Sequence, residues 1–132
     1  MGVATVVAFG MMLLFGTVDG TTPKSARALA AVQLANVEDD FDRQWECLDL
    51  LWQHESGWDY RAANPHSSAR GIPQALVDLH GLTGSWQEDP KAQVEWGLDY
   101  IYRRYGSPCA AWEAWTSRAT LRSNGTWHNG WY

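Results

Sequence analysis

The sequence predicts a mainly α single domain, and three stretches predict it. Trp45–Trp58 reads as an amphipathic helix, Asp89–Arg104 as a second, and CAAWEAWTSRAT after Pro108 as a third. At 132 residues the chain is long enough for one domain with a genuine core, and 45% hydrophobic with 19% charged is the composition of a globular protein. Between the first two helices, Tyr60–Gly84 is rich in Gly, Pro, Asn and Ser and reads as a long loop beside a functional cleft.

Met1–Val18 carries no charged side chain. It has the length of a signal-peptide apolar region and is short for a membrane span, so residues 1–18 are expected to be a signal peptide or a membrane anchor that contacts the membrane before any cleavage. Residues 19–40 are small, polar and Ala-rich and read as a linker, with one weak helix over Ser25–Asn36 that contributes little. The folded domain is expected over residues 41–132, with Asp42 capping the helix that follows. Gly57 ends that helix.

Asp89-Pro90 supplies an N-cap and a proline at the first helical position. Ala92, Trp96, Tyr100 and Ile101 continue at helical spacing. Arg103 and Arg104 suit the negative end of the helix dipole, and Gly106 closes it. Asn124-Gly125 reads as a tight turn. The two cysteines, Cys47 and Cys109, pair if the protein is exported and stay as two buried thiols if it remains in the cytosol. A bond between them would tie the exit of the second helix to the first.

Within Trp45–Trp58, about 100° per residue puts Trp45, Cys47, Leu48, Leu51 and Trp52 on one arc and Glu46, Asp49 and Gln53 on the other. Glu55 projects from the middle of the apolar arc. A carboxyl group there loses water, its pKa rises, and it keeps a proton near neutral pH, which is what a general acid needs. The bland alternative is a solvated glutamate paired with Arg61 or Arg70.

Other chemistries find no support. A net charge of −5 and a pI of about 5.2 leave no basic stripe for nucleic acid. His54-Glu55 opens like a zinc-protease signature, but Trp58 stands where the second histidine belongs. No metal, cofactor, serine-hydrolase elbow or phosphate loop is expected. Nine tryptophans suit either a tightly packed core or a groove that stacks flat ligand faces.

A set of short motifs extends this reading: Glu55-Ser56-Gly57-Trp58, Ala63-Asn64-Pro65, Gly71-Ile72-Pro73-Gln74-Ala75, Trp96-Gly97 with Tyr100-Ile101, Arg104-Tyr105-Gly106-Ser107-Pro108-Cys109, and the terminal Gly130-Trp131-Tyr132. In order and spacing, the stretch from Gln44 to Trp112 resembles the soluble lytic transglycosylase-type domain of the lysozyme-like superfamily, in its small exported actinobacterial and phage form. The resemblance implies a mainly helical lysozyme-like single domain, monomeric, secreted or in the cell envelope, acting on peptidoglycan glycan strands. It implies Glu55 as the catalytic acid, Ser56 as the residue holding its carboxylate and Gln74 as a cleft residue, with Tyr100, Tyr102 and Trp112 near the cleft. The implied reaction cleaves the bond between N-acetylmuramic acid and N-acetylglucosamine with one glutamate. A lysozyme-type hydrolase or a weakly active wall-binding module are the alternatives. The chain departs from the family in a longer Glu113–Asn129 segment and in lacking a clear Tyr-Asn cleft pair.

Overall fold

A computed structural model of the chain describes residues 18–118, which are mainly helical. In order they form α1 (Pro23–Ala35), α2 (Phe41–Ser56), the strands β1 (Ala69–Arg70) and β2 (Ala75–Leu76), the single-turn helices α3 (Val77–His80) and α4 (Gly84–Gln87), then α5 (Pro90–Tyr105) and α6 (Pro108–Arg118). The strands pair antiparallel, Ala69 opposite Leu76 and Arg70 opposite Ala75. The expected loop is therefore partly ordered. Residues 1–17 of the apolar N-terminal run, the Asn124-Gly125 turn, residues 119–129 of the long C-terminal segment and Gly130-Trp131-Tyr132 lie outside the described residues. Among the described residues no helix is long and apolar enough to cross a membrane.

The segment read as a linker is corrected by α1. Thr22 caps it reciprocally with Ser25, and Pro23 occupies the first turn. Ala26, Ala30 and Leu34, one turn apart each, are fully buried in the main core with Leu48, Leu51, Trp52, Val94 and Ile101. Alanine adds little to a hydrophobicity pattern, yet its small side chain lets the helix approach closely. Arg27 then fastens α1 to α2, its Nε donating to Asp49 Oδ1 at 2.8 Å while its guanidinium lies 5.4 Å from the centre of a Trp58 ring.

α2 starts at Phe41, so its N-cap is Asp40 and not Asp42, and the Asp40 side chain makes no capping bond. Gly57 ends it in the left-handed conformation, as expected. α5 begins as read: Asp89 accepts from the Ala92 N–H at 3.1 Å, Pro90 follows, and Gly106 terminates the helix. α6 packs along α2. Cys47 and Cys109 form a disulfide between these two helices, and the buried Gln44 carboxamide accepts from the Cys109 N–H at 2.9 Å, satisfying an otherwise orphaned donor of the first turn of α6.

The loop between α2 and α5 is held by one fully buried side chain, Gln93. Its Oε1 accepts from the Ile72 N–H at 2.9 Å, and its Nε2 donates to the carbonyls of Tyr60 at 3.1 Å and Gln87 at 3.0 Å. Gly71 makes this possible. It has φ +77°, and a Cβ there would stand 2.4 Å from Gln93 Oε1. One helical turn along α5, Gly97 lets the helix lie against Trp52 and Pro73, where a Cβ would meet the Trp52 ring at 2.6 Å.

Replacing Gln93 by Leu strands one buried N–H and two carbonyls, and the variant is expected to lose roughly 2–4 kcal/mol of stability, read as a lowered thermal midpoint by circular dichroism. A mild reductant opens a crosslink spanning 62 residues, and chain entropy alone sets its contribution at about 4 kcal/mol. Melting with and without reductant measures it, and an unchanged midpoint contradicts the structural role of the bond.

Candidate active site

Glu55 lies in the last turn of α2, three residues on from Trp52 and four from Leu51, both fully buried. The helical period therefore carries its side chain inward. One carboxyl oxygen, Oε1, is buried without a hydrogen-bond partner among the described residues. From α6 the Trp115 side chain hydrogen-bonds the carboxyl group. An indole N–H only donates, so this bond favours the charged form, whereas loss of water favours the neutral one. Loss of water wins, and the Glu55 carboxyl is pushed from its ordinary 4.5 up to about 8. At neutral pH it holds its proton.

Aromatic rings fix this arrangement. Trp112 stacks on Trp115 with centroids 5.3 Å apart and planes 11° apart, and the His54 ring lies 5.1 Å from Trp115 and 5.3 Å from Trp112. Trp52 meets Trp58 edge-on at 5.2 Å. Asp49, expected on the polar arc, accepts from Trp58 Nε1 at 2.8 Å as well as from Arg27.

Ser56 does not hold the Glu55 carboxylate. Its Oγ–H donates to the Ile72 carbonyl at 2.7 Å and its oxygen accepts from the Trp58 N–H at 3.1 Å. A hydroxyl has one proton, and here it ties the end of α2 to the Gly71–Gln74 bend. Ile72 is thus held from both sides, its N–H by Gln93 and its carbonyl by Ser56.

Two residues on, Gln74 adopts a left-handed backbone (φ 53°), with its Nε2 donating to the carbonyls of Ala62 and Gly71 at 3.2 and 3.0 Å. It lines a groove of about 360 Å³ together with Pro73, Leu79, His80, Trp96, Tyr100, Arg104 and Arg118. Trp96 and Tyr100 stack at 5.1 Å and 12° as one flat wall, and the His80 ring meets both of them edge-on. No aspartate or glutamate lines this groove. Glu55 is not a lining residue either, but Trp115, which acts on its carboxyl group, and Ser56, next to it in the chain, each neighbour residues that line the groove. Trp115 stands one helical turn before Arg118, and Ser56 grips Ile72 next to Pro73 and Gln74.

Of the residues singled out in the sequence, Gln74 and Tyr100 line one groove, and Ser56 is tied to the bend that carries Gln74. The structure separates Tyr102, whose hydroxyl donates to Glu38 Oε2 at 2.5 Å on another face of α5. Burial and the Glu38 carboxylate both raise the Tyr102 pKa. Trp112 belongs with His54 and Trp115 and does not line the groove. Asp59, Asp78 and Asp99, the other carboxylates considered as partners of Glu55, are exposed. Asp99 pairs with Arg103 at 2.7 Å. Among the described residues no three His, Cys, Asp or Glu side chains converge as a metal-binding set.

Comparison with protein-family models, with curated proteins and with solved structures finds no match for this chain. The site therefore rests on its own geometry. Trp96, Arg104, His80, Trp115 and Arg118 were not singled out as site residues, yet Trp96, Tyr100 and Arg104 recur every fourth residue along one stripe of α5. That spacing was the available signal.

Because the folded chain keeps Glu55 protonated while the unfolded chain ionises it near 4.5, the wild type loses stability as pH rises from about 4.5 to about 8. Glu55→Gln removes this slope. The variant is expected to match the wild type at pH 4 and to exceed it by roughly 3–5 kcal/mol at pH 9, measured by urea denaturation across the pH range. A gap that does not grow with pH contradicts a buried, neutral Glu55.

Proposed function

We propose that the chain is a peptidoglycan-cleaving lytic transglycosylase of lysozyme-like fold, with Glu55 as its one catalytic carboxyl group. The observation that carries the reading is a glutamic acid kept neutral by burial at the end of a tryptophan-packed helix, in a chain that also has a groove with an aromatic wall and no carboxylate in its lining. Glycosidases that use two carboxyl groups need a nucleophile or base facing the acid. With Asp59, Asp78 and Asp99 exposed, the arrangement favours a mechanism in which the substrate supplies what the protein lacks.

In that mechanism the Glu55 proton passes to the oxygen bridging N-acetylmuramic acid and N-acetylglucosamine as the muramyl C1–O bond breaks. The carbonyl oxygen of the muramyl N-acetyl group bonds to C1 and carries the positive charge. Glu55, now a carboxylate, accepts the proton of the muramyl C6 hydroxyl. O6 attacks C1, the N-acetyl oxygen leaves, and a 1,6-anhydro sugar results with Glu55 protonated again. Both half-reactions use the same dry carboxyl group, and a pKa near 8 keeps its acid form dominant at neutral pH. If water replaces the C6 hydroxyl, the same residue performs hydrolysis. The Cys47–Cys109 disulfide suits an oxidising compartment outside the cytosol, where a wall enzyme acts.

Glu55→Gln is expected to abolish clearing of purified cell walls, and full clearing by the variant removes Glu55 from its role. Mass spectrometry of the wild-type digest is expected to show 1,6-anhydro ends, and reducing ends alone would make the enzyme a lysozyme. The cleavage rate is expected to fall as pH rises through about 8, where the acid loses its proton. A rate still rising above pH 9 contradicts general acid catalysis by this residue.

A further inference from the structure

His54 adjoins Glu55 in the last turn of α2 and is exposed, yet its ring is held at a fixed angle. Its Nδ1 lies 2.8 Å from the carbonyl oxygen of Leu50, one helical turn back. A carbonyl oxygen only accepts, so Nδ1 carries the proton, and the bond stops the imidazole from turning. The ring lies 5.1 Å from Trp115 and 5.3 Å from Trp112, tilted by 60° and 49°, and so leans on both members of the α6 pair at once. Those two indoles stack with planes 11° apart. The single N–H of Trp115 is engaged with the Glu55 carboxyl group. The plane of that indole is therefore set by the side chains packed against it, Trp112 and His54 among them. The only charged side chains of α6, Glu113 and Arg118, are exposed, so what α6 brings to Glu55 is an indole and the exclusion of water, not charge.

The path from backbone to acid is short. The Leu50 carbonyl pins the imidazole, the imidazole abuts the stacked indoles, and the buried indole of the two bonds the carboxyl group. We propose that His54 is a positioning residue for Glu55, its pinned ring bracing the stacked pair Trp112 and Trp115 from the solvent side so that the Trp115 N–H stays on the carboxyl group and water stays away from it. The part this plays in glycan cleavage rests on the reading of Glu55 as the reacting acid, whereas the brace itself does not. His54 touches no reacting atom. A side chain without a ring at this position opens the edge of the stack to water and gives Trp115 room to turn. Two effects then oppose each other. A lost indole donor raises the Glu55 pKa, and regained water lowers it. Loss of water is the larger of the two in the folded protein, so the pKa falls.

The full-length protein, isotope-labelled at the glutamate carboxyl carbons, is titrated by NMR, with Glu55→Gln identifying the Glu55 signal. His54→Ala is expected to increase the Glu55 ionisation constant about tenfold or more, a pKa lower by about one. The pH above which wall clearing falls is expected to move down with it. His54→Phe keeps a ring and is expected to restore most of the wild-type value. His54→Gln has no ring and is expected to behave as His54→Ala does. His54 is exposed and its hydrogen bond lies within one helix, so all three variants are expected to fold. If His54→Ala does not, the contrast between Phe and Gln decides alone. An unmoved Glu55 pKa in the ringless variants overturns the proposal, even where the melting temperature drops, because His54 then serves stability only. An equal fall in all three variants overturns it too, since a ring would then not be what holds the indoles. The titration needs no substrate. The expected shifts in a protein that clears no cell wall leave the brace standing and remove the enzymatic reading, whereas wall clearing with an unmoved pKa removes the brace and leaves the enzyme.

Discussion

Everything near the site depends on the buried carboxamide of Gln93. A carboxamide offers two N–H donors and one carbonyl acceptor. Here each meets a backbone group from a different part of the α2–α5 loop, at Tyr60, Ile72 and Gln87. A 33-residue run without long helices of its own would otherwise wander. These bonds and a longer one from Nε2 to the Trp86 carbonyl at 3.4 Å, all from one point on α5, give it a fixed course, and because the amide is fully buried no water competes for them. Gly71 completes the joint by leaving room where any side chain would strike Gln93. The bend that follows delivers Pro73 and Gln74 to the groove.

Glu55 is kept dry from three directions. α2 contributes its own apolar face, α6 brings Trp115 and Trp112 across it, and Ser56 closes the helix end onto the fixed Ile72 carbonyl. The acid strength of the carboxyl group is thus a balance between withdrawal from water and a single indole donor. More donors would lower the pKa and discharge the acid, and fewer aromatic neighbours would let water do the same. The groove works on another principle, with flat rings and positive charge in place of exclusion. The described residues thus hold two environments, one a carboxyl group kept neutral by loss of water, the other an open groove lined by flat rings and arginine.

Much of this was legible. The helical period placed Glu55 among Leu51 and Trp52, and the punctuation at Gly57, Asp89-Pro90 and Gly106 marked helix ends by backbone chemistry that acts locally. The cysteine pair was one of the two readings that the count left open, and the structure forms it. What was misread depends on geometry between elements or on angles that adjacency conceals. Ser56 adjoins Glu55 in the chain, but neighbours on a helix diverge by about 100° and do not face each other, so its hydroxyl met Ile72 instead. Tyr100 and Tyr102 are about 200° apart on α5, which is why one faces the groove and the other Glu38. α1 reads in the sequence as a weak helix within a linker because its buried face is mostly alanine, whose contribution appears only when another helix is close enough to need a small side chain. Gln93, a lone polar residue in a helical run, carries no mark of what it holds until the loop is folded around it.

The disulfide-linked pairing of α2 with α6 has a temporal side. Glu55 sits at the end of one helix, and the tryptophan that bonds it arrives about 60 residues later in the chain. Until that later helix docks, the carboxyl group is surrounded by water and behaves as an ordinary ionised glutamate. In a nascent or half-folded molecule Glu55 is therefore a charged group, and it becomes neutral only when the two helices have closed on each other.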